Sequence, residues 1–260
     1  MIQKISIKLM RTITIFATLR ALTLGFLKLF PKTKLSRTKS DDINIDRDNL
    51  LLEIQEKGFS DTFKISPERV EKIIAYNNTV NYKGIDGQGS FNIDYNNPQR
   101  PSNQLWYTNP NAEECDAVKE LVYNEDILHI AKQYLGKEPT IKDVRTWWSF
   151  PQDKKEYNHL YGFHYDIDAY KFLKMFVYIT DVDENGGPHA IISKTHMSKD
   201  MFEKKNRRLT DEMAEEKYGK DRIFEMKGER GTCFFEDTFS YHKGTSPNYP
   251  RLILQLEFSI

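Results

Sequence analysis

Cysteine is scarce in this chain: its 260 residues hold only Cys115 and Cys233, in unrelated contexts. Two isolated thiols make no disulfide framework and fit a reducing, cytoplasmic compartment, with both side chains serving as small buried groups. Acid is missing from residues 1–40, which carry nine Lys or Arg and no Asp or Glu. The chain as a whole has 38 bases and 38 acids, so residues 41–260 keep 29 bases against 38 acids. An acidic body excludes nucleic-acid binding as the main activity. A long uninterrupted apolar run is also lacking. The most apolar stretch, TITIFATLRALTLGFLKLF (12–30), is broken by Arg20 and Lys28. A membrane span needs about 20 apolar residues, and a central Arg costs about 2.5–3.5 kcal/mol on insertion scales. No clean small-residue cleavage site marks a secretory signal, and no repeat or low-complexity tract occurs.

What is present divides the chain. Residues 1–40 form a basic, apolar N-terminal segment and linker, with polar residues running from 31 to 48. The segment suits an interfacial helix making peripheral membrane contact through residues 1–36, or a presequence, or a helix packed in a groove of the domain itself. Residues 41–260 read as one domain. Helical patterns fall at about 48–58, 67–77, 112–121 and 124–135. Ser66-Pro67-Glu68 supplies a cap, a Pro at the first helical position and a first-turn acid, and Gly136 stops the last of these helices. Asn111 reads as the cap of the third. Residues 78–111 form a long loop with short extended pieces. After residue 140 short runs of β-branched and aromatic residues follow one another: IKDVRTWWSF, YKFLKMFVYIT, GPHAIIS, DRIFEMK, GTCFFED and RLILQLEFS. A charged, helical stretch at 197–220 interrupts them. Closely spaced strands in one block predict a sandwich or barrel behind a helical N-terminal third.

The polar residues of that block carry the chemistry. Phe163-His164-Tyr165-Asp166 contains an H-x-D triplet, and in extended chain His164 and Asp166 share a face. His242 lies on a later strand and completes two histidines and one carboxylate, a set that leaves three metal positions open. Nine residues on, Arg251 opens the last apolar strand. A guanidinium at that position needs a partner, and a carboxylate fits it bidentately. H-x-D alone is weak evidence, since His164 also reads as an ordinary satisfied histidine; the combination with His242 and Arg251 is far more restrictive.

The stretches FHYDIDAYKFLKMFVYITDVDENGGPHAIISKTH (163–196) and FFEDTFSYHKGTSPNYPRLILQLEF (234–258) resemble the phytanoyl-CoA dioxygenase-like oxygenases. The resemblance covers about residues 140–260. It implies a double-stranded β-helix (a cupin-like jelly roll), with Fe(2+) held by His164, Asp166 and His242. It further implies 2-oxoglutarate as co-substrate, gripped at its far carboxylate by Arg251, and hydroxylation of a small-molecule or lipid-like substrate with O2. Asp166 is intact where halogenating relatives have a small residue, so halogenation is not expected. Lys194-Thr195-His196 departs from the Gly-Ser-His common in relatives, and two glycines precede Pro188.

Strand alternation puts Lys174, Phe176, Tyr178 and Thr180 on one face and Leu173, Met175, Val177 and Ile179 on the other. Either set can be the interior one; Lys174 and Tyr178 become candidate co-substrate contacts if theirs is. Arg145, Trp147 and Tyr157 are candidates for the entrance, and segments 78–111 and 150–162 for lids. His189, which stands where relatives tend to have an apolar residue, faces either pocket or surface. His196 is expected as a hydrogen-bonded support, and His129 and His159 as ordinary. The competing readings are a cupin-type metalloenzyme that does not use 2-oxoglutarate, against which Arg251 counts, and a catalytically silent jelly-roll binding protein, against which the triad counts.

Overall fold

The computed structural model describes residues 2–30, 32–39, 43, 45–104, 106–151 and 162–260, without the side chains of residues 2–6. The helices are α1 (Ile2–Ile15), α2 (Ala17–Lys28), α3 (Arg47–Lys57), α4 (Pro67–Asn77), α5 (Asp116–Val122), α6 (Glu125–Leu135), α7 (Met201–Lys205) and α8 (Asp211–Tyr218). Local chemistry sets several of their starts. Ser66 accepts the Arg69 amide at the head of α4, and Asn124 accepts the amides of Asp126 and Ile127 at the head of α6. Asn111 makes no such side-chain bond. There the chain first turns through a short 3-10 segment, Ala112–Glu114, so the expected single helix at 112–121 begins four residues later.

The strands are β1 (Phe63–Lys64), β2 (Lys83–Gly84), β3 (Trp106–Asn109), β4 (Thr140–Ser149), β5 (Phe163–His164), β6 (Phe172–Tyr178), β7 (His189–Ile192), β8 (Arg208–Leu209), β9 (Ile223–Met226), β10 (Thr232–Glu236), β11 (His242–Gly244) and β12 (Arg251–Ser259). They form two antiparallel sheets, in the orders β1-β10-β6-β12-β4-β3-β2 and β8-β5-β11-β7-β9. Apart from the run β2-β3-β4, neighbours in space are not consecutive in sequence, as in a jelly roll. The fold is thus mainly β with flanking helices.

Alternation along the central strands separates two cores. Leu173, Met175 and Val177 of β6 join Leu252, Leu254 and Leu256 of β12 in one cluster with the apolar faces of α3 to α6. Phe176 and Tyr178 point the other way, into a cluster between the sheets with Phe234, Ile191 and Ile253. The set containing Lys174 is therefore the interior one. All nine residues of β12 are buried, and each fully buried Leu there contributes about 1.5–3 kcal/mol. That strand fixes the position of Arg251 at its start.

The N-terminal helices rest on this body. Arg20 of α2 is buried, its Nε donates to Tyr170 O at 2.8 Å, and its guanidinium lies 4.5 Å from the Phe239 ring. Met10 and Ile15 of α1 pack on the cluster under the smaller sheet. Among the described residues no single helix is long and apolar enough to cross a membrane; the pair made by Ile7–Ile15 and α2 is bent by 115°.

Candidate metal centre

His164 and His242 are cross-strand partners in the β5–β11 register, so their side chains emerge on one face. Their rings lie 4.5 Å apart. Asp166 follows β5 directly, where its amide donates to Thr238 O at 2.8 Å. One carboxylate thus meets both imidazoles, His164 Nε2 at 3.9 Å from Asp166 Oδ1 and His242 Nε2 at 3.6 Å from Oδ2. The three donor atoms lie within 4.8 Å of one another, the one such group of His, Cys, Asp or Glu among the described residues.

The supports of these donors fit a metal. His164 Nδ1 sits 3.1 Å from Gly162 O and His242 Nδ1 3.1 Å from Ser240 O. Each carbonyl accepts the Nδ1–H, which leaves the Nε2 lone pair to face its partners. Burial lowers the pKa of both rings, that of His242 to about 4, and keeps them neutral. Burial alone would raise the pKa of Asp166. The buried Lys174 ammonium, which also hydrogen-bonds the carboxylate, overcomes that and holds the carboxyl well below its ordinary range.

Lys174 is the principal charge partner. Its Nζ donates to Asp166 Oδ2 at 2.8 Å and to Asp168 Oδ2 at 2.9 Å, with Glu257 Oε2 at 3.9 Å. Burial pulls its pKa down, but the three carboxylates more than offset this and raise it. Lys174, expected as a co-substrate contact, therefore lines the cavity already engaged with the carboxylate of Asp166. Tyr178 is placed differently from that expectation. It is fully buried behind His189, where its hydroxyl donates to Met226 O at 2.8 Å and accepts from the His189 amide at 3.2 Å, and it does not line the cavity.

The cavity holds about 450 Å³ and is lined by the triad, Lys174, Phe176, His189, Arg251 and, towards the mouth, Trp106, Arg145, Trp147, Arg207 and Arg208. Arg251 is 2% exposed, with long hydrogen bonds to Thr245 O (3.4 Å) and Ser149 Oγ (3.5 Å). The loop that delivers it is pressed by the glycine turn before Pro188. Gly187 has φ +72°, and a Cβ there would lie 2.5 Å from Thr245 O, so no side chain fits. The two glycines in this turn thus have a packing reason.

Sequence reasoning missed Glu236 altogether. It is fully buried on β10, with Oε2 2.7 Å from His189 Nε2 and Oε1 3.8 Å from His242 Nδ1. Burial raises its pKa to about 8 and lowers that of His189 to about 3, so both side chains are held neutral beside the two imidazoles and Asp166. Glu236 stands two residues beyond Phe234 and so shares its interior face, a face that alternation alone does not identify as interior. His189 faces the cavity and stacks on His242 at 5.3 Å and 15°. His196 lies elsewhere, its Nε2 3.1 Å from Gln55 O, and His129 sits in α6. Tyr157, His159 and most of segment 150–162 lie outside the described residues.

No protein-family model matches the chain, and no curated protein matches it by sequence. Solved structures match its fold. The non-heme alpha-ketoglutarate-dependent epimerase SnoN from nogalamycin biosynthesis aligns with a TM-score of 0.55 at 14% identity, over 82% of each chain. HygX from Streptomyces hygroscopicus, solved with nickel and 2-oxoglutarate bound, aligns at 0.55 and 12% identity, over 83% of this chain and 87% of its own. EctD from S. alaskensis aligns at 0.55 and 17%, over 88% of this chain and 81% of its own. At such identities the likeness shows the fold, a jelly roll shared with these enzymes.

Proposed function

We propose that the chain is an iron(II)- and 2-oxoglutarate-dependent dioxygenase that hydroxylates a C–H bond of a small-molecule or lipid-like substrate. The observation that carries this reading is the convergence of His164, Asp166 and His242 at the floor of a cavity whose wall contains Arg251. When bound, iron(II) and 2-oxoglutarate supply with O2 an oxidising power that no side chain has, and succinate and CO2 leave as co-products. The chain's own residues do the rest. His164 and His242 present neutral Nε2 atoms because their Nδ1 hydrogens are committed to Gly162 and Ser240. Asp166 stays ionised because Lys174 holds it. Two imidazoles and one carboxylate would hold iron(II) and leave room on it for a co-substrate. Arg251 offers a planar fork to a carboxylate, which a lysine at the same place would not. The test is iron-dependent conversion of 2-oxoglutarate to succinate, read beside calorimetric binding of 2-oxoglutarate to the metal-loaded protein. Failure of the wild-type protein to bind 2-oxoglutarate would end the proposal.

A second observation favours peripheral attachment to the cytoplasmic face of a membrane. Leu22, Phe26 and Leu29 are 68%, 60% and 74% exposed on one face of α2 and its end, in a segment with nine basic residues and no acid. Apolar burial and attraction to anionic lipid act together on such a helix. Salt-sensitive co-flotation with anionic, but not neutral, liposomes is the expected result; a variant with Leu22, Phe26 and Leu29 changed to Ser should stay behind.

A further inference from the structure

The charge of the cavity runs against the charge of the body around it. Residues 41–260 carry nine more acids than bases, yet the cavity is lined by five cationic side chains and one carboxylate, Asp166. Part of that excess belongs to the reaction already proposed, on which the present inference rests. Lys174 is more than matched by Asp166, Asp168 and Glu257, Arg251 faces the co-substrate, and the charges of iron(II) and the 2-oxoglutarate dianion cancel. Arg207 and Arg208 have no role in that account, nor does Arg145, whose charge Asp143 shares while leaving the rest of its guanidinium fork for another acceptor.

Their placement is not scattered. Arg208 is the β8 partner of His164 in the β5–β8 register, so it stands beside a metal ligand and on its face of the sheet. Arg207 precedes it, with Nε donating to Tyr165 O at 3.2 Å. Arg145 comes from the opposite sheet, on β4, where Asp143 binds its Nε and itself accepts from Gln255 Nε2 at 3.0 Å. Both sheets therefore bring guanidinium groups to one mouth. Between them, Trp147 of β4 and Trp106 of β3 line the same cavity, each half-buried.

We infer that the substrate carries an oxyanion, phosphate or carboxylate, held across the mouth by Arg145, Arg207 and Arg208, with a ring or other flat face of the substrate against Trp106 and Trp147. Guanidinium forks match either oxyanion bidentately, and indole faces give flat groups apolar contact. A positive mouth also concentrates anions and speeds their capture.

The test uses the full chain with nickel in place of iron and saturating 2-oxoglutarate, and three probes: phenyl phosphate, benzoate and benzyl alcohol. Binding is read by tryptophan quenching and calorimetry. One or both anionic probes should bind at least about 30-fold more tightly than benzyl alcohol, whose ring is the same but uncharged, as expected for charge-assisted bonds. Which anion binds identifies the oxyanion. R145Q and the surface double variant R207Q/R208Q should each weaken the preferred anion about 10-fold or more and leave the alcohol unchanged. Both should keep the wild-type affinity for 2-oxoglutarate. Equal binding of all three probes, or discrimination that survives both variants, overturns the inference. So does an anion that binds only when 2-oxoglutarate is left out, because it has then occupied the Arg251 site. Loss of 2-oxoglutarate binding in the wild-type protein would instead count against the oxygenase reading.

Discussion

Two cavities of about 450 Å³ each lie in this molecule, and they are built from similar residue types. The first holds the triad with Lys174 and Arg251. The second lies under α2 and is lined by Arg20, Tyr134, Lys171, His196 and Asp237. In the second, neutral hydroxyl and backbone groups take up the charged side chains. Tyr134 donates to Asp237 Oδ2, Asp237 Oδ1 accepts the Phe239 amide at 2.9 Å, Lys171 donates to Tyr134 O, and Arg20 donates to Tyr170 O. In the first, three donor atoms with oriented lone pairs aim at a common point. A His, an Asp and two cations in a cavity do not make a metal centre; the direction of the unshared pairs does. One cavity gathers three donor atoms that could hold a cation, while the other ties a helix to the body.

The sharpest way to break that contrast is to delete donors in both. Asp166→Ala or His242→Ala should reduce iron affinity by more than about 100-fold, since loss of a supporting group alone costs 10–100-fold, and should abolish succinate formation. His196→Ala and Asp237→Ala should leave metal content unchanged in whatever protein folds. Metal analysis after dialysis checks this, and iron retention by Asp166→Ala would remove the distinction. Next in size is Arg251→Ala. Removing one partner of a buried charge pair costs about 2–5 kcal/mol, so the Kd for 2-oxoglutarate should rise on the order of 100-fold while iron affinity changes little. An unchanged Kd would transfer the anchor to another base of the cavity.

The ion pairs around Lys174 give a smaller effect with its own signature. Lys174→Met leaves Asp166, Asp168 and Glu257 facing one another without their shared cation, which should cost about 3–5 kcal/mol in metal-free protein. A divalent metal restores positive charge beside Asp166, so the loss should shrink when nickel is added. Urea unfolding with and without metal reads the difference. An equal loss in both would mean that Lys174 acts through packing, not through the carboxylates.

Much of the first cavity was legible in the sequence, and little of the second was. His164 and Asp166 are two apart in extended chain, which fixes their common face without knowledge of the fold. His242 and Arg251 were read as the second imidazole and the carboxylate partner that such a pair calls for, and the family resemblance then matched them. The helices around 48–58, 67–77 and 124–135 followed from caps and periodicity and stand within a residue or so of those bounds. Glu236 escaped because an acid in an apolar strand reads as an edge residue until the sheet order buries it. The second cluster escaped because its members come from α2, α6 and three separate loops or strand ends, with no spacing to connect them. Arg20 looked like a break in an apolar helix, whereas its stem and guanidinium lie on Phe239 and its Nε satisfies a carbonyl.

The smallest expected effect belongs to a lysine near the second cavity, and its sign is opposite to that of Lys174. Lys199 is 3% exposed, with its ammonium 4.5 Å from the Tyr165 ring centroid, 4.4 Å from Phe239 and 5.1 Å from Tyr241. Burial lowers its pKa to about 7, against a partial upward pull from Glu203 and Asp237. An unfolded lysine titrates near pH 10.4, so between about pH 7 and that value the unfolded chain binds more protons than the folded one. Stability therefore rises with pH through this window, and the penalty for burying the charge is fully present only below it. Lys171, lowered to about 8 by burial, acts in the same direction. The three ring faces stabilise the charged form and limit the gain, which should be on the order of 1–2 kcal/mol between pH 7 and pH 9. Urea midpoints at the two pH values measure it. Lys199→Met should flatten most of the slope; a slope that persists unchanged in Lys199→Met would assign the effect to Lys171 and leave the aromatic cage with no part in it.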